Sequence, residues 1–229
     1  MTLPTRCSPL VAGVLLCLLS SPSRVAANTQ VDPAAVEQPR DPREEARLLV
    51  KTSLAELHAG EDAGSTAEKL EHYRKGLELA ERAVALDDTS ADAHYAEFAN
   101  RGRILSTEGA VANPFNLLKL RPSLNRSLEL DPNHAAALAA RGTMYLRLPR
   151  LLGGDLEKAK ADIERSLSID PGQFGARMSL AEVYLALGRR DEATKLLTEA
   201  RALAIERHNP RQQREAEEKI AELEGESPS

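Results

Sequence analysis

The sequence contains no tryptophan, and four tyrosines with three phenylalanines leave aromatic residues at 3%. Sheet proteins rely on aromatic and β-branched side chains to cover their pleated faces. Alanine, leucine, glutamate and arginine dominate here instead, and all four are good helix formers. An all-α protein is expected. Cysteine is nearly missing: the only two are Cys7 and Cys17, close to the N-terminus. That excludes a disulfide framework and a cysteine metal site in the body of the chain. There is no surplus of positive charge; the formal net charge is −5, which argues against general nucleic-acid binding. Hydrophobic residues reach 42%, enough for the packed core of one ordinary domain.

The apolar run at residues 10–19 has ten residues, about half of the ~20 a spanning helix requires. Arg6 precedes it, and Val25-Ala26-Ala27 offers small residues for cleavage before Asn28. This is the layout of a secretory signal peptide over residues 1–27, and it implies a periplasmic or secreted protein. An uncleaved anchor is the alternative. A lipoprotein would use Cys17, but Leu16 before it is bulkier than such signals favour. Cleavage would remove Arg6 and Arg24 and no acid, taking the net charge from −5 to −7, and would remove both cysteines.

Residues 28–41, with Pro33 and Pro39, read as a flexible linker. A helical domain is expected over residues 42–224, with a frayed tail at 225–229. Its first helix starts at Asp41-Pro42-Arg43-Glu44, with Asp41 as N-cap and Pro42 at the first turn. Gly60 is the expected C-terminal glycine of that helix. Ser65-Thr66-Ala67-Glu68 is a capping box opening a second helix, with Leu70, Tyr73, Leu77, Ala80, Ala83 and Val84 at helical spacing. Asn113-Pro114 starts another helix, which Pro122 should kink or restart. Asn209-Pro210 opens a final helix towards Leu223, with Ala216, Ile220 and Leu223 on one face.

Three helix ends look alike: Ala83-Val-Ala-Leu-Asp87, Ser127-Leu-Glu-Leu-Asp131 and Ser166-Leu-Ser-Ile-Asp170. They lie 44 and then 39 residues apart. Residues 174–200 resemble a tetratricopeptide (TPR) repeat, a helical hairpin of about 34 residues. Leu180, Ala181, Tyr184, Ala193, Leu197 and Ala200 fall on its signature positions, and Leu187-Gly188-Arg189 resembles its inner turn. The preceding unit matches with Gly142, Tyr145, Ala159, Ile163 and Ser166. The resemblance covers residues 66–205 and is clearest at 135–171 and 174–205. It implies a TPR-like α-solenoid of stacked hairpins with a C-terminal capping helix. The long corners are also similar to those of secreted bacterial TPR proteins, including the TPR component associated with TRAP (tripartite ATP-independent periplasmic) transporters.

Gly153-Gly154, followed by Asp155 and Lys158, admits two readings. One is the corner between two helices, with Asp155 as N-cap; the other is an anion cradle. A phosphate loop needs a preceding strand and a following Gly-Lys-Ser/Thr, and neither is present. The corner is favoured.

Catalytic patterns are missing. The five histidines show no metal-binding i, i+4 pair, and there is no G-x-S-x-G. His94 and His134 both sit near helix starts and read as solvated turn residues. Asn125-Arg126-Ser127 matches a glycosylation sequon within an expected helix. No enzyme, cofactor or metal is expected. What the resemblance implies is a surface. In the repeat's register, the concave face presents Tyr95, Ala99 and Arg103, then Ala136, Ala139, Thr143 and Arg147, then Met178, Glu182 and Leu185. That face suits an extended peptide or a partner helix, with Arg103 and Arg147 meeting a carboxylate; plain packing of small residues is the other reading. Leu146, Leu148, Leu151 and Leu152 around the long corner either pack on the next repeat or line a channel or oligomer interface. The leading expectation is a non-enzymatic periplasmic or secreted scaffold binding another protein. The second is an accessory of a TRAP-type transporter that associates with a periplasmic solute-binding protein.

Overall fold

The computed structural model describes residues 41–225. The expected signal peptide, nearly all of the linker and the tail beyond Gly225 lie outside them. The helices run α1 (Pro42–Asp62), α2 (Thr66–Leu86), α3 (Ala91–Thr107), α4 (Pro114–Leu118), α5 (Arg121–Leu130), α6 (Ala135–Arg147), α7 (Leu156–Ile169), α8 (Phe174–Ala186), α9 (Arg190–Glu206) and α10 (Pro210–Gly225). No strand occurs among the described residues. None of these helices is long and apolar enough to cross a membrane.

Local chemistry sets most of the boundaries. Arg43 N–H donates to Asp41 Oδ1 at 3.0 Å, starting α1 with Pro42 in its first turn. Ser65 and Glu68 form the full reciprocal capping box of α2. Pro114 opens α4, and the chain restarts at Arg121, one residue before Pro122. Asn209 accepts from Gln212 N–H at 3.0 Å and starts α10. The caps of α1, α2 and α10 satisfy amides that would otherwise be unpaired at a helix start, while α5 has no side-chain cap and carries Pro122 in its first turn, which brings no amide of its own.

The three look-alike helix ends are one device used three times. Asp87, Asp131 and Asp170 end α2, α5 and α7, and each side chain accepts an N–H two residues on. The donors are Thr89 (3.1 Å), Asn133 (2.9 Å) and Gly172 (2.8 Å). An acid at a helix C-terminus opposes the macrodipole. Here it turns the chain back for the next helix, which is what an Asx turn does.

The helices pair as α1 with α2, α3 with α5, α6 with α7, and α8 with α9, and α10 closes the stack on α9. Four apolar clusters run through it. Each draws on at least three helices, linking a hairpin to the next element of the stack between Ala46 and Leu223. Buried alanines such as Ala80, Ala93, Ala159 and Ala193 let helix axes approach closely. The pairing of α1 with α2 places a complete hairpin ahead of the segment where the resemblance is loosest. Gly60 does not end α1, which continues to Asp62. It is buried against Tyr73, whose Cε1 would lie 2.4 Å from an added Cβ. The glycine serves the α1–α2 crossing.

Candidate functional site

The long corner after α6 uses its backbone amides to hold its own shape, as a helix corner does, and leaves none of the three free to cradle an anion. Gly153 has φ 96°, a left-handed conformation that favours glycine. At Gly154 an added Cβ would fall 1.7 Å from the Leu148 carbonyl oxygen. The three consecutive amides are already used: Gly153 donates to Arg150 O, Gly154 to Pro149 O and Asp155 to Tyr145 O, at 3.0, 3.0 and 3.1 Å. Asp155 Oδ1 in turn accepts from Glu157 and Lys158 N–H, both at 3.1 Å, and so caps α7. Of the corner leucines, Leu148 is buried, and Leu146 and Leu152 are half-buried within the apolar clusters. Leu151 is 99% exposed.

The histidines are not free turn residues. His94 is buried, and its Nε2 lies 3.1 Å from Asp88 O and 3.2 Å from Asp88 Oδ1. His134 accepts Ala137 N–H at its Nδ1 (3.2 Å), capping α6, while its Nε2 lies 3.0 Å from Asp92 Oδ1. Its ring is also 4.9 Å from that of Tyr95, centroid to centroid. His94 ties the start of α3 to an acid in the turn before it, and His134 ties the start of α6 to the first turn of α3, structural uses that sequence spacing does not show.

The first helices of the hairpins carry the residues expected on the concave face, and these divide into two groups. Ala139 and Met178 are buried in core clusters, at 9% and 7% exposure. They shape the wall from behind. Tyr95, Ala99, Ala136 and Leu185 are half-buried. Thr143 Oγ1 donates to Ala139 O at 2.9 Å and lies 3.1 Å from Ser179 Oγ, joining α6 to α8. Arg103, Arg147 and Glu182 reach solvent, but not as lone charges. Arg147 Nη2 is 2.6 Å from Glu182 Oε2. Arg103 pairs with Glu61, near the end of α1.

Glu61 was not anticipated, and it organises the face. Besides Arg103 it meets Arg211 of α10 at 3.6 Å, and Arg211 also approaches Asp62 (3.4 Å) and Glu215 (3.9 Å). The last helix of the stack therefore touches the first. Burial pushes the Glu61 carboxyl up. The His58 hydrogen bond, with Arg103 and Arg211 nearby, outweighs it and holds the group below its usual value. At Glu215 the balance reverses, and burial pushes that carboxyl up despite Arg211. Sequence reading missed this network because its members lie far apart along the chain and each alone looks like an ordinary surface charge.

These pairs set a pH window for stability. Glu56 is held low by its hydrogen bond from His72 and by Lys75, and Asp92 by its bond from His134. A carboxyl depressed in the folded state stabilises fully above its ordinary value, 4.5 for glutamate, and loses that effect as pH falls through the folded value. His58 works in the opposite sense. Its hydrogen bond to Glu61 raises it above 6.5, so its contribution is complete below 6.5 and lost as pH rises through the raised value. Urea midpoints measured at about pH 3.5, 5.5 and 8 should therefore be highest near 5.5, with the steeper loss on the acid side. A midpoint that rose towards pH 3.5 would contradict this charge arrangement.

Comparison with known proteins fits the geometry. Residues 150–213 match the family model described as tetratricopeptide repeat. No curated protein matches by sequence. Among solved structures, the chain is similar to pilF of Pseudomonas aeruginosa, at 15% identity and TM-score 0.50, covering 80% of this chain and 78% of that one. It is also similar to a thermophilic TPR protein of Thermus thermophilus, at 20% identity, TM-score 0.42, and 80% and 98% coverage. A third is MamA from Desulfovibrio magneticus, at 15% identity, TM-score 0.44, and 81% and 98% coverage. Of these three, the pilF likeness, at TM-score 0.50 and 15% identity, speaks to fold alone. The repeat's sequence over residues 150–213 and the stacked hairpins from α1 to α10 together give this chain the fold of a tetratricopeptide-repeat solenoid.

Proposed function

We propose that this protein is a scaffold outside the cytoplasm that binds a segment of another protein along its concave face. The observation that carries the reading is the row of paired charges there. Arg103 with Glu61, and Arg147 with Glu182, hold guanidinium and carboxylate groups in position across neighbouring helices. A partner peptide can exchange with these pairs, its own carboxylate taking an arginine or its own cation taking a glutamate. Half-buried Tyr95 and Leu185 supply apolar contact beside the charges. The location rests on the signal-peptide layout of residues 1–27.

A transport accessory contacting a solute-binding protein is less favoured. Three of the four corner leucines that motivated it pack within the repeat stack instead of facing outward.

The test is affinity capture of the tagged protein from its own cell-envelope extract, with cross-linking and mass spectrometry. It is run beside the Arg103→Glu/Arg147→Glu variant. Both side chains are more than half exposed, so the fold should survive. Losing two charge-assisted contacts should weaken binding of a concave-face partner roughly a hundredfold, at about 1.5 kcal/mol each, and lower its recovery accordingly. Unchanged recovery would move the interface elsewhere. Recovery of a periplasmic solute-binding protein would favour the transport reading.

A further inference from the structure

The two enlarged corners, between α3 and α5 and between α6 and α7, form one surface. Arg121 Nη2, at the start of α5, donates to Leu152 O across the gap at 3.1 Å. Leu117 and Leu118 share an apolar cluster with Leu148 and Leu152 beneath. Two large apolar side chains stand out from this base: Leu151, 99% exposed, and Phe115, 61% exposed. Leu151 projects from the corner, and the cleft beside it, lined by Tyr145, Leu148, Arg150, Asp155 and Lys158, leaves it out.

Charge around the tips is of one sign. Residues 109–121 contain Lys119 and Arg121 and no acid; residues 147–154 contain Arg147 and Arg150 and no acid. Arg147 is spent on Glu182. Among the described residues Lys119 bonds only the Asn116 amide and Arg121 a backbone carbonyl, and neither these two nor Arg150 lies within ion-pair distance of a carboxylate. The neighbouring acids are engaged elsewhere: Glu108 pairs with Arg74, and Asp155 with Lys158 and two helix amides. Glu108 borders the first segment and Glu157 follows the second; both are exposed. All this occurs on a chain whose net charge is −5.

We propose that this double corner is an interfacial anchor, resting the solenoid edge-on against an anionic lipid membrane. Phe115 and Leu151 enter the headgroup boundary, and Lys119, Arg121 and Arg150 face lipid phosphates. Exposed apolar tips ringed by unpaired cations match the two attractions that hold peripheral proteins on bilayers. A membrane also accepts a convex projection without having to provide a shaped pocket, as a protein partner would.

The absence of tryptophan makes the test direct. Leu151→Trp in the full chain places a single reporter at the tip. Ile169→Trp places one at the exposed end of α7, on the opposite edge. Each is titrated with vesicles of phosphatidylcholine alone and of phosphatidylcholine with phosphatidylglycerol. The tip reporter should shift to the blue with the anionic vesicles only, and the Ile169→Trp reporter should not. Adding Lys119→Gln and Arg150→Gln to the tip reporter should weaken partition roughly thirtyfold, two cations at about fivefold each. No shift at the tip overturns the proposal. So does an equal shift at both edges, which would place the membrane contact in the N-terminal segment, or full binding by the double glutamine variant. A corner that ignores vesicles and instead captures an acidic protein would assign the patch to that class of partner and overturn it too.

Discussion

Replacing Gly142 with alanine should destabilise the protein by about 2 kcal/mol, although alanine is the better helix former by roughly 1 kcal/mol. An added Cβ would lie 2.5 Å from Ile163 Cγ1 and 2.9 Å from the Ala159 carbonyl oxygen. The first contact could yield by a rotamer change, but the second is helix backbone, so α6 and α7 would have to separate. Valine at the same position should exceed about 3 kcal/mol, since its methyls meet the same packed face. Gly175 gives the control. It lies in α8 with nothing within 4 Å of an added Cβ. There Gly175→Ala should gain roughly 0.5–1 kcal/mol. Urea denaturation of the three variants checks the sign in each case. Ile163→Ala, which leaves a cavity at a fully buried site, should cost about 3 kcal/mol alone. Combined with Gly142→Ala it should cost clearly less than the sum, because each change makes room for the other. Additive behaviour would show that the crossing is looser than these distances require.

The second large effect is expected at Asn100, which is 0% exposed. Its Nδ2 donates to Ser53 Oγ (2.9 Å) and Ala96 O (3.0 Å), and Ser53 passes a hydrogen bond on to Gly76 O at 2.7 Å. Its Oδ1 has no donor among the described residues. Gly76 leaves the space, since a Cβ there would sit 2.2 Å from that oxygen. Asn100→Asp therefore puts a negative charge where two acceptors already point, and should cost roughly 3–5 kcal/mol at neutral pH. The pH dependence has a definite sign. Burial raises the new carboxyl in the folded state above the ~3.9 of the unfolded chain. The penalty is then full when the group is ionised and fades as pH falls to that unfolded value, where the protonated acid again donates. The difference in urea midpoint from the parent, measured at pH 7 and near pH 4, should shrink on acidification. A difference that stayed constant would mean the carboxylate finds water or a cation, and that the three-helix polar chain is open to solvent.

How far the sequence reveals this molecule depends on the range of the forces involved. Asp41, Ser65, Asp155 and Asn209 could be read as helix starts because a cap acts within three residues. The Pro122 restart and the TPR segment were legible for the same reason: proline geometry and repeat signatures are local. Gly60 misled because a glycine near a helix end and one at a helix crossing look identical until the partner, Tyr73, is known. The concave face was half legible. Repeat register puts Arg103, Arg147 and Glu182 on the expected concave face, and all three reach solvent. The pairing of Arg147 with Glu182 and of Arg103 with Glu61, and the part played by Arg211, arise from the coiling of the whole stack. Small per-repeat rotations, which no short segment encodes, set that coiling.

That coiling has a mechanical consequence. A solenoid whose units touch only their neighbours resembles an open spring, and either end can loosen without the other registering it. Arg211 meeting Glu61 and Asp62 closes the spring with a clasp. Fraying at α10 then releases α1, and a partner that widens the groove must also undo the clasp. Because the clasp is ionic and partly exposed, dissolved salt loosens it. The protein's resistance to being stretched is thereby tied to the ionic strength of the compartment in which it works.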